Sequence, residues 1–209
     1  MLNFENLDKA IFEGAGAFQI PEILPVEYCD ITDFIPFNYV LTHKHDAEKG
    51  VHFFIDDYQF ARVWNAPNSY VDMLRKFKCI LAPDFSTYTD MPVALQIYNH
   101  YRKHWIARYY SMWGITVIPT ISWSTPESFD WCFDGEPENS VVAVSNVGCM
   151  RDEECRELFF KGFEEMKRRL SPSKILCYGS PIDGTVNIPP FYEKIRERRE
   201  TANDSKTVG

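Results

Sequence analysis

The chain has 209 residues, 45% of them hydrophobic, 25% charged and 15% aromatic, and carries a formal charge of −8 at pH 7. That length supports one domain with a full core and would be cramped for two, and the acidic balance disfavours broad contact with a nucleic-acid backbone, which needs a basic face. No apolar run approaches the ~20 residues of a membrane span, and MLNFENLDKA has neither the basic start nor the apolar core of an export signal; the sequence reads as a soluble, cytoplasmic protein without a membrane partner.

Residues 1–192 read as a single α/β domain and 193–209 as a charged, partly disordered tail. Leu7 to Phe12 could form a short helix, after which Gly14, Gly16, Pro21 and Pro25 keep the chain irregular. Pro36 to Leu41 is a first strand candidate and Val51 to Ile55 a stronger one, ending on Asp56-Asp57. Apolar residues on both faces suit a strand covered on both sides, as in a parallel sheet. A helix is expected over Ser69 to Phe77, beyond the interruption at Pro67.

The stretch Cys79 to Trp123 is the organising unit: a short apolar run, a polar corner, a long amphipathic segment and a second apolar run. This is the pattern of two parallel strands joined by a crossover helix. The helix, Pro92 to Trp113, repeats Leu95, Tyr98, Tyr101, Trp105, Tyr109 and Met112 at three-or-four spacing, which predicts that this row is buried. A short helix near Pro126 to Cys132, a strand over Val141 to Val144, a helix over Asp152 to Leu170 and a strand over Lys174 to Tyr178 follow. The acidic first turn and basic last turn of the 152–170 segment suit a helix dipole. Strands that alternate with helices and end in small or polar clusters predict a mainly parallel sheet. About six strands favour a reduced or distorted TIM-like barrel, with an open doubly wound three-layer sheet as the alternative.

HFFIDDYQFARVWN, LAPDFSTYTDMPVALQIYNHYR, GITVIPTISW and VVAVSNVG, spread over Val51 to Gly179, resemble an uncharacterised family of phages and mobile elements, domain of unknown function 4417. The resemblance implies a phage or mobile-element context and assigns no activity to any residue.

In parallel α/β folds ligands bind beyond the carboxyl ends of the strands, so the polar strand tips are the candidate site. Asp84 is the leading catalytic candidate, with Asp56 or Asp57 as its partner: two carboxylates across a cleft can act as acid and base in glycosidic cleavage, or hold Mg²⁺ for phosphoester chemistry. Asp90, before Met91-Pro92, reads as a helix N-cap. Ser86, Tyr88, Arg102, Ser122, Trp123, Ser145 and Asn146 are candidate substrate-binding residues, Trp123 as a ring that can stack on a sugar or base and Arg102 as a partner for an anionic group. Arg62 and Arg108 are weaker candidates for that role. Thr42-His43-Lys44-His45-Asp46 contains an HxH pair but no matching ligands at later strand tips, so it reads as a solvated loop and no metal is assigned. There is no GxSxG, GxxxxGK[ST] or GxGxxG, which disfavours serine hydrolases and classical nucleotide loops. The six cysteines, Cys29, Cys79, Cys132, Cys149, Cys155 and Cys177, form no CxxC pair and read as free thiols.

Two functions are therefore expected. The first is a hydrolase or glycosidase acting on a nucleotide- or sugar-like small molecule, with no cofactor beyond possible Mg²⁺. The second is a non-catalytic phage protein that sequesters a small signalling molecule or blocks a host protein. Nucleic-acid processing is a weaker third.

Overall fold

The computed structural model describes residues 3–4, 9–43 and 45–190; the expected charged tail lies outside them. Two antiparallel ribbons open the chain, β1 (Asn3–Phe4) with β2 (Lys9–Ala10) and β3 (Gly14–Ala15) with β4 (Ile20–Pro21). Over its described residues, 9–12, the expected Leu7 to Phe12 helix is thus replaced by β2 and irregular chain.

Two parallel sheets follow in strict sequence order. The first comprises β5 (Phe34–Pro36), β6 (Gly50–His52), β7 (Cys79–Leu81) and β8 (Val117–Ile118). The second comprises β9 (Val141–Ser145), β10 (Lys174–Tyr178) and β11 (Val186–Ile188). A parallel bridge between Thr120 and Ala143 links them, with Ile121 N donating to Ala143 O at 2.8 Å and Ala143 N to Pro119 O at 2.8 Å. Among the described residues no pairing returns β11 to β5. The α/β class with parallel sheets therefore holds, and a closed barrel is not what the hydrogen bonding describes.

The strands have period-two burial on both faces. Phe34, Leu81, Ile118, Ala143, Leu176 and Ile188, drawn from both sheets, share one apolar cluster. Their alternating neighbours Ile35, Val51, Ile80 and Val117 pack into a second cluster with Trp105, Ile106 and Tyr110, while Val142, Val144, Ile175 and Cys177 pack into a third with Phe159, Phe163 and Met166. A strand buried on both sides needs apolar residues at successive positions, which is why these segments read as unbroken runs.

Between β6 and β7 the chain makes short turns: α1 (Asp57–Phe60), α2 (Arg62–Asn65), a 3₁₀ turn at Pro67–Tyr70 and α3 (Val71–Leu74). The expected strand at Pro36 to Leu41 is instead a 3₁₀ turn at Phe37–Tyr39, because the paired strand ends at Pro36. A 3₁₀ turn also occupies Pro126–Asp130. The long helices are α4 (Val93–Met112) and α5 (Glu153–Leu170). Helix α5 starts where expected: Asp152 is the N-cap, its carboxylate accepting from Cys155 N at 2.9 Å, and Ser171 closes it in the left-handed region.

Helix α4 departs from its predicted face. Leu95, Tyr98 and Met112 of the expected stripe are exposed, and the buried face carries Gln96, Asn99, His100, Lys103 and His104 beside Trp105 and Tyr110. Buried polar groups are tolerated when hydrogen-bonded, and these have partners. Lys103 Nζ donates to Thr120 O at 2.7 Å and to Glu136 Oε1 at 2.8 Å, and His104 lies 2.9 Å from the same oxygen. Trp105, Ile106, Ala107 and Tyr110 supply the apolar part of the helix, and Trp105 Nε1 donates to Ala10 O at 2.7 Å.

Removing one partner of a buried ion pair strands the other charge. Lys103→Met is expected to lower unfolding free energy by about 3–5 kcal/mol, measured by urea denaturation, whereas exchanging the exposed Lys167, which pairs with Glu164 on the surface of α5, is expected to cost no more than about 1 kcal/mol.

Candidate functional site

Several of the predicted residues meet at the carboxyl ends of the strands. Beyond β7, Ala82-Pro83 carry the chain into the 84–90 corner, and two side chains fix that corner from outside. Asp57, the first residue of α1, accepts from Ser86 N at 3.2 Å and from Ser86 Oγ at 2.9 Å; Asn99 of α4 donates to Ser86 O at 2.6 Å. Beyond β8, Trp123 lies against Phe159 of α5, with ring centroids 5.3 Å apart. Its indole rests on Gly162, where an added Cβ would fall 2.2 Å from the indole nitrogen. That close approach is possible only at glycine.

These tips enclose a cavity of about 770 Å³, within the range of small-molecule sites. Asp56, Asp84, Ser86, Tyr88, Ser122, Trp123 and Ser145 line it, so seven of the ten residues singled out from the sequence share one hollow. The other three lie behind its walls. Asp57 is occupied by Ser86 and acts as a brace. Asn146 is buried as a clasp between strand ends, donating to Ser180 O at 2.7 Å and accepting from Ser180 N at 2.8 Å. Arg102 stacks its guanidinium on Phe85 at 3.9 Å and Tyr98 at 4.9 Å, and hydrogen-bonds Asn99. Asp90 is not a helix cap: α4 begins after Pro92 with no side-chain cap, and Asp90 stands exposed on the cavity rim. Arg62 lies over Phe37 at 4.9 Å. His43 bonds locally to Thr42 and Tyr39, and His45 is exposed, as a solvated loop would have them.

Part of the lining carries no signal in the sequence. Phe54 and Tyr178, with stacked rings 4.8 Å apart, and Cys155 and Phe159 of α5 also face the cavity. They read as ordinary core residues, and no spacing in the chain marks them out.

Asp84 is the chemically distinctive group. Burial pushes its carboxyl up to about 7 from the ordinary 3.8; the Lys103 ammonium pulls it down and the Asp57 carboxylate adds to the rise. It therefore changes protonation near neutrality, where a carboxyl can act as an acid or a base. Of the described residues that line the cavity none is Lys, Arg or His, while Asp56, Asp84 and Asp90 are acidic. The hollow thus offers carboxyl groups, hydroxyls and aromatic faces, and no cation to match a phosphate.

A second polar cluster lies apart from this cavity. His100, His104 and Glu136 each place a ligand atom within 4.8 Å of the others, all buried. His100 is held well below the usual histidine range by burial, with His104 and Lys103 adding to the effect. The i,i+4 spacing of the two histidines is legible in the sequence; the approach of Glu136, beyond an irregular connection, is not.

Fold and cavity together define an α/β protein with parallel strands and a polar, ring-walled pocket at the strand ends. Residues 12–190 match the family described as Domain of unknown function (DUF4417), and the chain belongs to that family. It is 39% identical over 178 residues to the "Gene 1 protein" of Mycobacterium phage L5, covering 82% of this chain and 75% of that one. It is 36% identical over 173 residues to the "Gene 1 protein" of Mycobacterium phage D29, covering 82% of this chain and 64% of the relative. No solved structure matches the chain significantly. Among the described residues no helix is long and apolar enough to cross a membrane.

Because the folded carboxyl of Asp84 holds its proton more tightly than an unfolded one, its stabilising contribution is complete below pH 3.8 and is lost as pH rises through about 7. Asp84→Asn is expected to abolish that component, so that the variant equals or exceeds the parent in denaturant midpoint at pH 8 and loses the advantage at pH 4. Gly162→Leu is expected to displace the Trp123 indole, seen as a red shift of tryptophan emission, and to destabilise the fold by about 1–3 kcal/mol through overpacking.

Proposed function

We propose that this protein is a hydrolase of glycosidase type that acts on an uncharged sugar- or nucleoside-like molecule in the strand-end cavity. The observation that carries this reading is Asp84, a carboxyl poised near neutrality in a cavity of about 770 Å³. Asp84 is the proton donor to the leaving oxygen or nitrogen, and Asp56, on the same wall system, is the second carboxylate. Trp123 and Tyr88 provide faces for a ring, and Ser86, Ser122 and Ser145 provide hydroxyls for its polar edge. The acidic lining narrows the expected nucleotide-like ligand: a phosphate would meet carboxylates and no cation unless Mg²⁺ accompanied it, so a nucleoside or sugar fits better. The same reading takes the two parallel sheets as an incomplete barrel. It is supported by strands in sequence order, by the bridge between the sheets and by one apolar cluster drawn from both.

A second reading has its own support. Asp57 is consumed by Ser86, and Asp56 accepts from Gln59 Nε2 at 3.1 Å, so the cavity could hold a small molecule without turning it over, as a phage protein that sequesters a signal or blocks a host protein would.

Turnover of a panel of nucleosides and nitrophenyl glycosides separates the two. The hydrolase reading expects cleavage that falls as pH rises through about 7, where Asp84 loses its proton, and a loss of at least ~100-fold in Asp84→Asn, the usual scale of a general acid. Undiminished turnover in Asp84→Asn removes the assigned role; an intact small molecule carried through purification in stoichiometric amount supports sequestration.

A further inference from the structure

We propose that His100, His104 and Glu136 form a transition-metal site of the zinc class that staples α4 to the 134–136 turn, separate from the strand-end cavity. Each histidine spends one ring hydrogen on a backbone carbonyl. His100 Nε2 lies 3.1 Å from Asp134 O, and His104 Nδ1 lies 2.8 Å from Pro21 O. A backbone carbonyl only accepts, so each ring must donate there. In the neutral imidazole the other nitrogen is then a bare lone pair. His100 Nδ1 is buried and has no protein partner, and neither has Glu136 Oε2. His104 Nε2 is directed at Glu136 Oε1, 2.9 Å away. The Lys103 ammonium and a proton on His104 Nε2 can each answer Oε1, but the His100 Nδ1 lone pair and Oε2 have no such partner, and a cation among the three groups satisfies both.

The donor chemistry fits a metal of this class. Two histidines and one glutamate are an established zinc set. Residues four apart on a helix share a face, and here the rings are 4.2 Å apart between centroids. A histidine whose second nitrogen donates to a backbone carbonyl is the arrangement that orients metal ligands and fixes their tautomer. Lys103 is the counterweight, because its ammonium lies 2.8 Å from Glu136 Oε1. It occupies that oxygen and leaves Oε2 for the metal, so the carboxylate is shared between two cations. None of the three ligands lines the cavity, and all are buried. The metal's role is therefore to hold together segments distant in sequence: β4 through Pro21, α4, and the turn at Glu136.

The experiment uses the full chain, expressed with added zinc and purified without chelator. Elemental analysis is expected to find one zinc per chain, falling to less than about a tenth in His100→Ala, with the loop variant His43→Ala/His45→Ala keeping it. Because His100→Ala could fail to fold, the parent chain is also stripped with dipicolinate and titrated with Co²⁺. Intense visible d–d bands that zinc displaces, with a rise in melting temperature, are expected; unfolding on stripping that zinc alone reverses supports the same conclusion. A stripped, folded chain that takes up neither Co²⁺ nor Zn²⁺, or a zinc content unchanged in both His100→Ala and Glu136→Gln, would overturn the site and assign the gap between His104 and Glu136 to a proton.

Discussion

One buried ammonium ties the main parts of this molecule together. Lys103 reaches from the middle of α4 to the carbonyl of Thr120, just beyond β8, and to Glu136 in the connection before β9. Thr120 is also the residue through which the two parallel sheets are bridged, and its hydroxyl donates to Ala82 O at 2.9 Å, beside the corner that begins at Asp84. Sheet junction, crossover helix and the start of the 84–90 corner thus meet at one almost wholly buried charged group. Such a charge is costly to bury and is held there by a carbonyl and a carboxylate acceptor. The same charge opposes the rise in the Asp84 carboxyl, so the bond that organises the fold also tunes the cavity.

The cavity follows from the strand order. Consecutive parallel strands bring their carboxyl ends to one edge, and each ends in residues too polar to remain in the apolar layers. Asp84, Ser122 and Ser145 reach the cavity for that reason, although they are far apart in sequence. Around them, side chains that could have entered serve as supports. Asp57 holds Ser86, Asn99 holds the Ser86 carbonyl, and Arg102 backs Phe85. A preorganised corner of this kind keeps the Ser86 hydroxyl and backbone fixed before any ligand arrives.

Much of the fold was legible because the inner strands declare themselves. Val141 to Val144 and Lys174 to Tyr178 are short apolar runs bounded by polar or glycine-containing turns, and they are strands. Helix α5 was legible from its charge asymmetry and its acidic start. Helix α4 misled because rows of aromatic residues usually mark the buried stripe. Here Tyr98 and Met112 face outward, while His100, Lys103 and His104 are buried through partners more than a dozen residues away. Hydrogen bonds with such distant acceptors leave no local trace in a sequence. Strand β11 was missed for a related reason: Val186–Ile188 is a short edge strand whose pairing with β10, rather than its composition, makes it a strand. The site divided in the same way. Residues at strand tips could be placed by topology, whereas the choice between Asp56 and Asp57 depended on which carboxylate Ser86 would capture, and the lining from Tyr178 and Phe159 depended on packing across the sheets.

The central claim is that Asp84 is a half-buried carboxyl poised near neutrality in the wall of a shared strand-end cavity. Carboxyl-carbon NMR of protein labelled at aspartate tests it most directly. The account predicts one aspartate resonance that titrates at about 7, is absent in Asp84→Asn, and shifts when a molecule enters the cavity. A spectrum in which every aspartate titrates in the ordinary carboxylate range would contradict it.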